Sequence, residues 1–294
     1  MNSATSGGHV PQMQGVLLMC AGVAFLSAND AIAKALTSGY SPLQILFLRN
    51  VIALPFTVVI ALVMGGPSAL RSHRPLAHLL RGALWVVATM MFFTSFIYLP
   101  LAEATALFFV APFFITVISA LFLGADIGWR RWLAVLAGFI GVLVIIRPGA
   151  ATFQPISLLP VATALVAAML MLSARWVDPR ESVWTLLVYL TGTAAVLSVP
   201  IVPFVWVPVR TGDLWLFAAI AVAGTAGMTM MTQAFRLAPA VVVAPLDYTG
   251  LLWATVFGWI FWRESPDMMT MIGAGIIIAS GVFTILRDKA RGGP

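Results

Sequence analysis

The feature that most constrains this chain is a long apolar run near its C-terminus that contains a single charge. Residues 237–262 are 26 in a row, and Asp247 is the one charged residue among them. A bilayer core takes about 20 helical residues to cross. A charge at its centre costs at least ~2.5 kcal/mol unless it is paired or hydrated. The run therefore predicts a membrane helix in which Asp247 needs a specific explanation.

The rest of the chain continues this pattern. Hydrophobic residues make up 61% of the 294 and charged residues 9%, against about 45–50% and 25% in soluble domains. We therefore predict an all-α integral membrane protein. Breaks at charges, Pro and Gly indicate ten transmembrane helices, near 14–35, 42–64, 79–98, 102–123, 132–147, 156–175, 183–204, 213–235, 240–262 and 268–287.

The basic residues predict the orientation of these helices. With the N-terminus inside, eleven Lys and Arg residues fall on the cytoplasmic side and four on the other, which satisfies the positive-inside rule. We expect both termini to be cytoplasmic. The net charge of +6 is explained by these short loops, so no nucleic-acid partner is predicted. The partners expected are the lipid bilayer and a small-molecule substrate, and protons are one candidate for a coupling ion, with facilitated transport as the alternative.

The chain's start and its cysteine content restrict it further. The first 14 residues contain no Lys or Arg, so they lack the basic region of a cleavable signal. We expect a short disordered tail followed by a retained helix. The single cysteine, Cys20, excludes an intrachain disulfide and is expected to pack as a small apolar residue.

The two halves of the sequence resemble one another. A shift of 138 residues places "YLPLAEATALFFVAPFF", residues 98–114, on "RLAPAVVVAPLDYTGLL", residues 236–252, and brings Asp126 onto Glu264. We therefore predict two five-helix units, 14–147 and 156–287. Five is odd, so the second unit inserts upside down. Inverted repeats of this kind are typical of secondary transporters, whose substrate site lies near the midplane between the halves.

Three segments resemble a known family. "FLRNVIALP" at 47–55, "LLRGALWVVATMMFFTSFIYLPLAEATALFFVAPFF" at 79–114 and "GLLWATVFGWIFWRESPD" at 250–267 are similar to EamA-type members of the drug/metabolite transporter superfamily. The resemblance implies a ten-helix inner-membrane carrier with two EamA units and a central cavity that opens alternately to either side. It leaves the substrate open among amino acids, drugs, riboflavin, S-adenosylmethionine and other metabolites.

Charges within the predicted spans are the first candidate site residues. Asp30 and Lys34 are one turn apart and can pair along one face, although we favour a Lys34 side chain that extends to the interface at the helix end. Arg49 lies seven residues into the second span, about 10 Å from its end, at a depth comparable to that of Asp30. We predict an Asp30–Arg49 pair that serves either as a structural clamp or as a substrate contact. Glu103 opens the fourth span, where the helix dipole favours an acid.

Asp247 has no basic residue within one turn. Pro245 removes a backbone donor just before it and Gly250 follows, while Pro112 stands at the matching place in the first half. Interrupted helices at matched positions indicate a binding site. We expect Asp247 to face a wet central cavity, with Arg236 or a substrate amine as its partner, against the alternative of a structural hydrogen-bonding role.

Aromatic residues complete the predicted substrate site. We expect an apolar or aromatic part of a substrate to contact side chains on several spans, and the candidates are Trp85, Tyr98, Tyr189, Tyr248 and Trp253. Lipid-facing or packing roles are the alternative for these residues.

Several function classes are disfavoured by what the sequence lacks. It has no GxxxxGK[ST] phosphate loop, which argues against ATP as the driving force. The three histidines, His9, His73 and His78, lie outside the predicted spans, so no intramembrane His/Cys metal site is expected. No cofactor is expected, and no nucleophile with a base is apparent at membrane depth, which disfavours an intramembrane enzyme. A channel or scaffold would not need two interrupted halves.

The sequence thus favours a secondary transporter, either monomer or homodimer, that moves a small organic metabolite by alternating access. An amino acid or amino-acid-like compound is the first expectation, because a paired acid and base suit a zwitterion. Riboflavin, S-adenosylmethionine or a similar metabolite is the alternative.

Overall fold

The computed structural model describes residues 9–122, 128–150, 153–178 and 180–290, which form helices joined by turns, with no β-strand among them. The α-helices are α1 (His9–Leu36), α2 (Pro42–Gly65), α3 (Pro75–Ser95), α4 (Leu101–Phe108), α5 (Ala111–Phe122), α6 (Trp129–Ile146), α7 (Leu158–Leu172), α8 (Val183–Ser198), α9 (Leu214–Leu237), α10 (Ala240–Val243), α11 (Thr249–Trp262) and α12 (Met268–Ala290). The 3₁₀ turns are Pro67–Leu70, Pro155–Ser157, Ser173–Trp176, Val202–Val205, Thr211–Asp213 and Ala244–Tyr248. The fold is therefore all-α, as predicted.

Within the described residues, six helical segments are long and apolar enough to cross a membrane. They are Met13–Leu36, Pro42–Gly65, Pro75–Ser95, Leu101–Phe122, Pro155–Trp176 and Thr211–Leu237. Three further apolar helices are shorter, namely Trp132–Ile146, Val183–Ser198 and Met268–Thr284. Each of the ten predicted positions is helical, but most boundaries shift by a few residues. α1 begins at His9, five residues earlier than expected.

Local sequence sets several helix ends. Ser41 caps α2 by accepting a hydrogen bond from the backbone N–H of Gln44 at 3.2 Å, and Pro42 occupies the first turn, where its missing N–H does no harm. Ser182 caps α8 in the same way. At the other ends, Arg147 and Arg263 follow α6 and α11 in the left-handed conformation, with φ of 50° and 57°.

Two of the predicted spans are each divided into two α-helices. The fourth breaks at Phe109 and Val110, between α4 and α5. In the other, the 3₁₀ turn Ala244–Tyr248 separates α10 from α11. Under the shift of 138, Phe109 corresponds to Asp247 and Val110 to Tyr248, so the interruptions lie at matched positions. The prediction of interrupted helices here is confirmed. Asp126, which ends the predicted repeat, lies outside the described residues.

The helices pack in a small number of close pairs. The most extensive contacts are those of α1 with α9, α6 with α12, α2 with α8, α3 with α7, and α3 with α8. α1 also contacts α11, and α7 contacts α5 and α4. Large apolar side chains point outward around the bundle: Val63 is 76% exposed and Phe122 78%. Such a surface suits lipid rather than water.

Candidate functional site

Arg49 is the buried charge at the centre of the candidate site. Its side chain is only 8% exposed, and it makes no hydrogen bond or ion pair with another described residue. Its guanidinium carbon lies 5.7 Å from the centroid of the Trp85 ring, a cation–π distance. Arg49 thus keeps its donors free in the interior of the bundle.

A small cavity surrounds this guanidinium. It is lined by α2, α3, α8 and α9 residues, namely Arg49, Asn50, Ala53, Thr57, Trp85, Leu187, Leu190, Thr191, Gly224, Thr225 and Met228. Its free space for water is about 20 Å³, room for one or two molecules. The side-chain nitrogen of Asn50 is buried here and has no described partner. The cavity is therefore small in this conformation, and its lining combines polar and apolar groups.

Asp30 and Arg49 do not form the predicted ion pair, since no Asp30–Arg49 contact lies within 4.0 Å. Asp30 instead accepts a hydrogen bond from Nδ2 of Asn29, at 3.0 Å. The two charges still interact through space. The prediction of a direct pair is wrong for this conformation, in which Asn29, and not Arg49, donates to the Asp30 carboxylate.

Lys34 makes neither of the two predicted interactions, a pair with Asp30 or an extension to the interface. Its Nζ lies 2.6 and 2.8 Å from the two carboxylate oxygens of Glu264 and 2.9 Å from the carbonyl oxygen of Leu99. Glu264 also accepts a hydrogen bond from the backbone N–H of Leu101, at 3.1 Å. Lys34 therefore neither pairs with Asp30 nor extends to solvent, because this cluster ties the end of α1 to the start of α4 and the end of α11.

Asp247 and Tyr248 lie in the 3₁₀ turn that interrupts the later span. Asp247 is partly buried and makes no hydrogen bond or ion pair with a described residue. Arg236 is exposed and does not pair with it. Neither Asp247 nor Tyr248 lines the Arg49 cavity. Tyr248 meets the ring of Phe109 edge-on, with centroids 5.1 Å apart, so the two helix interruptions contact each other.

Glu103 and Tyr98 lie at the end of the bundle that contains Lys34. Glu103 accepts a hydrogen bond from Ser157 at 3.3 Å and lines a polar cavity with about 270 Å³ of free space. Tyr98 is 60% exposed. Arg147 pairs with Asp267 at the rim of the cavity. That hydrogen bond is the main reason why the pKa of Asp267 falls to about 2.

Tyr189 lies at the opposite end, against a buried histidine. Its ring stacks on His78 with centroids 4.6 Å apart, and Nε2 of His78 lies 2.6 Å from the carboxylate of Glu181. Burial alone would raise the pKa of Glu181. Hydrogen bonds from His78, the backbone of His73 and Ser72 outweigh that effect and hold the pKa below its usual range. Tyr189 thus belongs to an end cluster and not to the Arg49 cavity.

The remaining aromatic candidate, Trp253, is 37% exposed and stacks on Phe257. Of the nine predicted site residues, the structure brings Arg49 and Trp85 together, leaves Asp30 out of contact with Arg49, and sets Asp247 and Tyr248 in a second group. Sequence reasoning missed Asn29, Asn50 and Gly224. The only signal for them was their position beside a charge or in a run of small residues. Among the described residues, no group of three or more His, Cys, Asp or Glu is placed to hold a metal ion.

An apolar helical bundle with a buried charge in its interior indicates a membrane protein with an internal functional site. The sequence matches the EamA-like transporter family over residues 13–147 and again over 154–286. The chain belongs to this family. It is a multi-pass membrane protein, and its family is one of transporters, not enzymes.

Curated relatives and a solved structure agree with this assignment. The chain is 30% identical to an S-adenosylmethionine uptake transporter of Rickettsia conorii, over 90% of this chain and 89% of the relative. It is 29% identical to a pseudopaline exporter of Pseudomonas aeruginosa, over 94% and 96%, and 28% identical to a riboflavin transporter of Vibrio cholerae, over 94% and 93%. A crystal structure with 20% sequence identity superposes with a TM-score of 0.64 and covers 95% of this chain and 99% of its own.

Proposed function

We propose that this protein is a secondary transporter that moves a small organic metabolite with a carboxylate-bearing, amino-acid-like head group across the bacterial inner membrane by alternating access. The observation that carries the proposal is the buried Arg49 guanidinium without a hydrogen-bonding partner among the described residues. A buried charge is costly unless something pairs with it. A substrate carboxylate would pair with Arg49 in the bidentate geometry that guanidinium groups favour.

Other groups around Arg49 support a zwitterionic head group. Asp30 could accept hydrogen bonds from a substrate amine, and the free amide nitrogen of Asn50 could donate one to an oxygen. The Trp85 ring offers a flat apolar surface beside Arg49. The relatives carry different substrates, and one of them takes up S-adenosylmethionine, a methionine derivative. A compound that joins an amino-acid head group to a flat ring system, as S-adenosylmethionine does, is the second candidate; riboflavin-type metabolites remain within the same alternative.

The packing pattern supports ten membrane spans in two inverted five-helix units, 14–147 and 156–287. The proposed repeat relates the first span to the sixth, the second to the seventh and the third to the eighth. The contact between α1 and α9 then corresponds to the contact between α7 and α3, and the contact between α2 and α9 to the contact between α8 and α3. Both members of each pair are in contact, and α2 with α8 and α6 with α12 map onto themselves. The family matches the chain twice, over nearly these two ranges. Matched interruptions at Phe109 and Asp247 fit the same symmetry.

The proposal includes an orientation and a driving force. Both termini face the cytoplasm, as the basic residues indicate, so the Lys34 end of the bundle faces outward. Asp30 and Asp247 are the carboxylates at membrane depth that could carry a proton. A reporter fused after Pro294 tests the orientation: activity confined to the periplasm would reverse every side assigned here.

Transport by the purified protein tests the function. Proteoliposomes would be assayed with labelled S-adenosylmethionine, riboflavin and a set of amino acids, with and without a proton gradient. We expect saturable transport of at least one carboxylate-bearing compound, and loss of it in Arg49→Ala. Transport only of compounds without a carboxylate, or unchanged transport by Arg49→Ala, would remove the basis of the proposal.

A further inference from the structure

We propose that Asn29 and Gly224 are positioning residues that hold Arg49 apart from Asp30 and so keep the guanidinium available to an anionic group of the substrate. This inference rests on the proposed function for its purpose. Its geometry is independent of which substrate is carried.

The first observation is the close approach of α1 to α9. A Cβ built on Gly22 would lie 3.0 Å from the carbonyl oxygen of Gly227, and one on Gly15 would lie 2.6 Å from the Cβ of Ala238. Gly15, Gly22 and Asn29 are spaced by seven residues and thus lie along one side of α1. The third residue of this series is Asn29 instead of a glycine, and the nearby residue of α9 is Gly224.

Gly224 leaves the space that the Arg49 guanidinium occupies. A Cβ built on it would lie 2.7 Å from one terminal nitrogen of Arg49, 2.9 Å from Oδ1 of Asn29 and 3.1 Å from Nε of Arg49. The first two separations are shorter than real Cβ atoms show and the third is tight, so the guanidinium and the amide oxygen both lie close against the glycine backbone of α9. Any residue larger than glycine would displace Arg49, Asn29 or both.

Asn29 lies between the acid and the base. Its Nδ2 donates to Asp30 at 3.0 Å, which leaves Oδ1 directed towards Gly224 and the Arg49 head group. The residue is 3% exposed, and Oδ1 is buried with no hydrogen-bonding partner among the described residues. The amide therefore binds one oxygen of the Asp30 carboxylate through Nδ2 and faces Arg49 through Oδ1, and we attribute the missing Asp30–Arg49 ion pair to this arrangement.

This separation matters for binding. A direct ion pair with Asp30 would use the planar donors of Arg49 that a substrate carboxylate needs. With Asn29 in between, both charges interact at a distance while the donors stay free. Arg49 is thereby preorganised for an anionic group, which lowers the cost of binding.

The first test uses Gly224→Ala with Gly192→Ala as the matched control. A Cβ at Gly192 would make only an ordinary contact, 3.6 Å from Leu54. Purified full-length protein would be treated with phenylglyoxal, and modification of Arg49 would be measured by peptide mass spectrometry. Arg81, whose guanidinium is held by Leu170 and Ser173, is the internal reference. We expect the rate of Arg49 modification to rise about tenfold in Gly224→Ala, because the added methyl group displaces the guanidinium from its position beside α9. The rate should be unchanged in Gly192→Ala. An unchanged rate in Gly224→Ala, or an equal rise in both variants, would overturn the role of Gly224.

The second test removes the spacer. In Asn29→Ala we expect Arg49 to pair with Asp30, so that its modification falls about tenfold, and Asn29→Ala/Asp30→Asn should restore the parental rate. If Asn29 had a purely structural role, Asp30→Asn would not restore the rate of Arg49 modification. Unchanged labelling in Asn29→Ala, or no recovery in the double variant, would refute the spacer role.

Transport separates this inference from the proposed function. For whichever of S-adenosylmethionine and L-methionine the parent carries, Gly224→Ala should raise KM about tenfold and leave the maximal rate nearly unchanged. If the parent carries neither compound, that substrate assignment fails, while the labelling results still decide the roles of Asn29 and Gly224. An unchanged KM together with altered labelling would show that Arg49 is positioned but does not bind the substrate, and the inference would fail in its purpose.

Discussion

Phe109 and Tyr248 meet edge to face, with ring centroids 5.1 Å apart, and so join the interruption of one span to that of its counterpart. Edge-on aromatic contact is a favourable geometry that fixes the relative position of both rings. On the other side of Tyr248 lies Gly281 of α12: a Cβ built there would be 1.7 Å from the tyrosine hydroxyl oxygen. Tyr248 is thus held between Phe109 and the backbone of α12.

Gly281→Ala should therefore destabilise the protein, because the added methyl group forces Tyr248 to move. Overpacking of this kind costs about 1–3 kcal/mol, and the thermal unfolding midpoint in detergent should fall. Gly275→Ala, in the same helix, is the control, since a Cβ there meets nothing within 4 Å. Adding Tyr248→Phe should recover part of the loss. Equal midpoints for the two alanine variants would contradict this account.

The Lys34–Glu264 pair should contribute to stability. Glu264→Gln leaves a buried ammonium, 8% exposed, without its counter-charge. The Glu264 side chain is 26% exposed, so we expect a loss of about 2 kcal/mol, between the values for surface and buried pairs. The measurement is again the unfolding midpoint, with Arg263→Gln at an exposed neighbouring position as the control. Lys34→Met/Glu264→Gln should be more stable than Glu264→Gln, and a double variant less stable than both single variants would argue against a net attractive pair.

Arg49 should matter more for transport than for folding. Because it makes no hydrogen bond with a described residue, Arg49→Lys should unfold at nearly the parental temperature. The ammonium cannot reproduce the planar donor fork, and loss of one charge-assisted hydrogen bond should raise KM about tenfold. Initial rates in proteoliposomes, normalised to folded protein, provide the measurement. A large fall in unfolding temperature with unchanged KM would make Arg49 a structural residue.

Loss of the Asp247 charge should impair transport and leave folding unchanged, whereas loss of a structural charge would impair folding. It has no hydrogen-bonding partner among the described residues, so Asp247→Asn removes an unpaired charge and should fold and insert normally. If the carboxylate carries a proton during transport, the variant should transport slowly or lose its dependence on external pH. Initial rate against pH decides this. Parental rates at every pH would exclude Asp247 as a coupling site.

The Glu181–His78 cluster should make stability depend on pH. The pKa of Glu181 is held below its ordinary value of 4.5. A carboxylate with a lowered pKa stabilises the folded state above the unfolded pKa, and that contribution is lost as the pH falls through the folded pKa. Glu181→Gln should therefore unfold at a lower temperature than the parent at pH 7, and the difference should shrink below about pH 4.5. Asp178→Asn, on the same loop, is the control. A difference that persists at low pH would point to lost packing instead of lost charge.

Much of the fold follows from local sequence. Apolar length predicts each helix, and prolines predict where two spans break, since Pro112 and Pro245 cannot donate the backbone hydrogen bond that an unbroken helix needs. These effects act within one turn of helix, so they can be recognised without knowledge of the partner helices.

The site was less predictable, because it depends on which helix faces meet. Lys34 finds Glu264 at a separation of 230 residues, and sequence spacing suggested the nearer Asp30. The role of Asn29 could not be predicted from the sequence, because an uncharged residue beside Asp30 carries no signal of its own. Tyr189 and Tyr98 were grouped with the site by residue type, whereas their depth along the helices places them at opposite ends of the bundle.

The Lys34–Glu264 pair also sets an order of events during synthesis. At about 5–20 residues per second, the 230 residues between them take about 10–50 seconds to translate. For that interval the first helix is made but its counter-ion is not, and α9, against which it packs most extensively, also comes late in the chain. Neither the ion pair of the first helix nor its contacts with α9 can therefore form until the last third of the chain has been made.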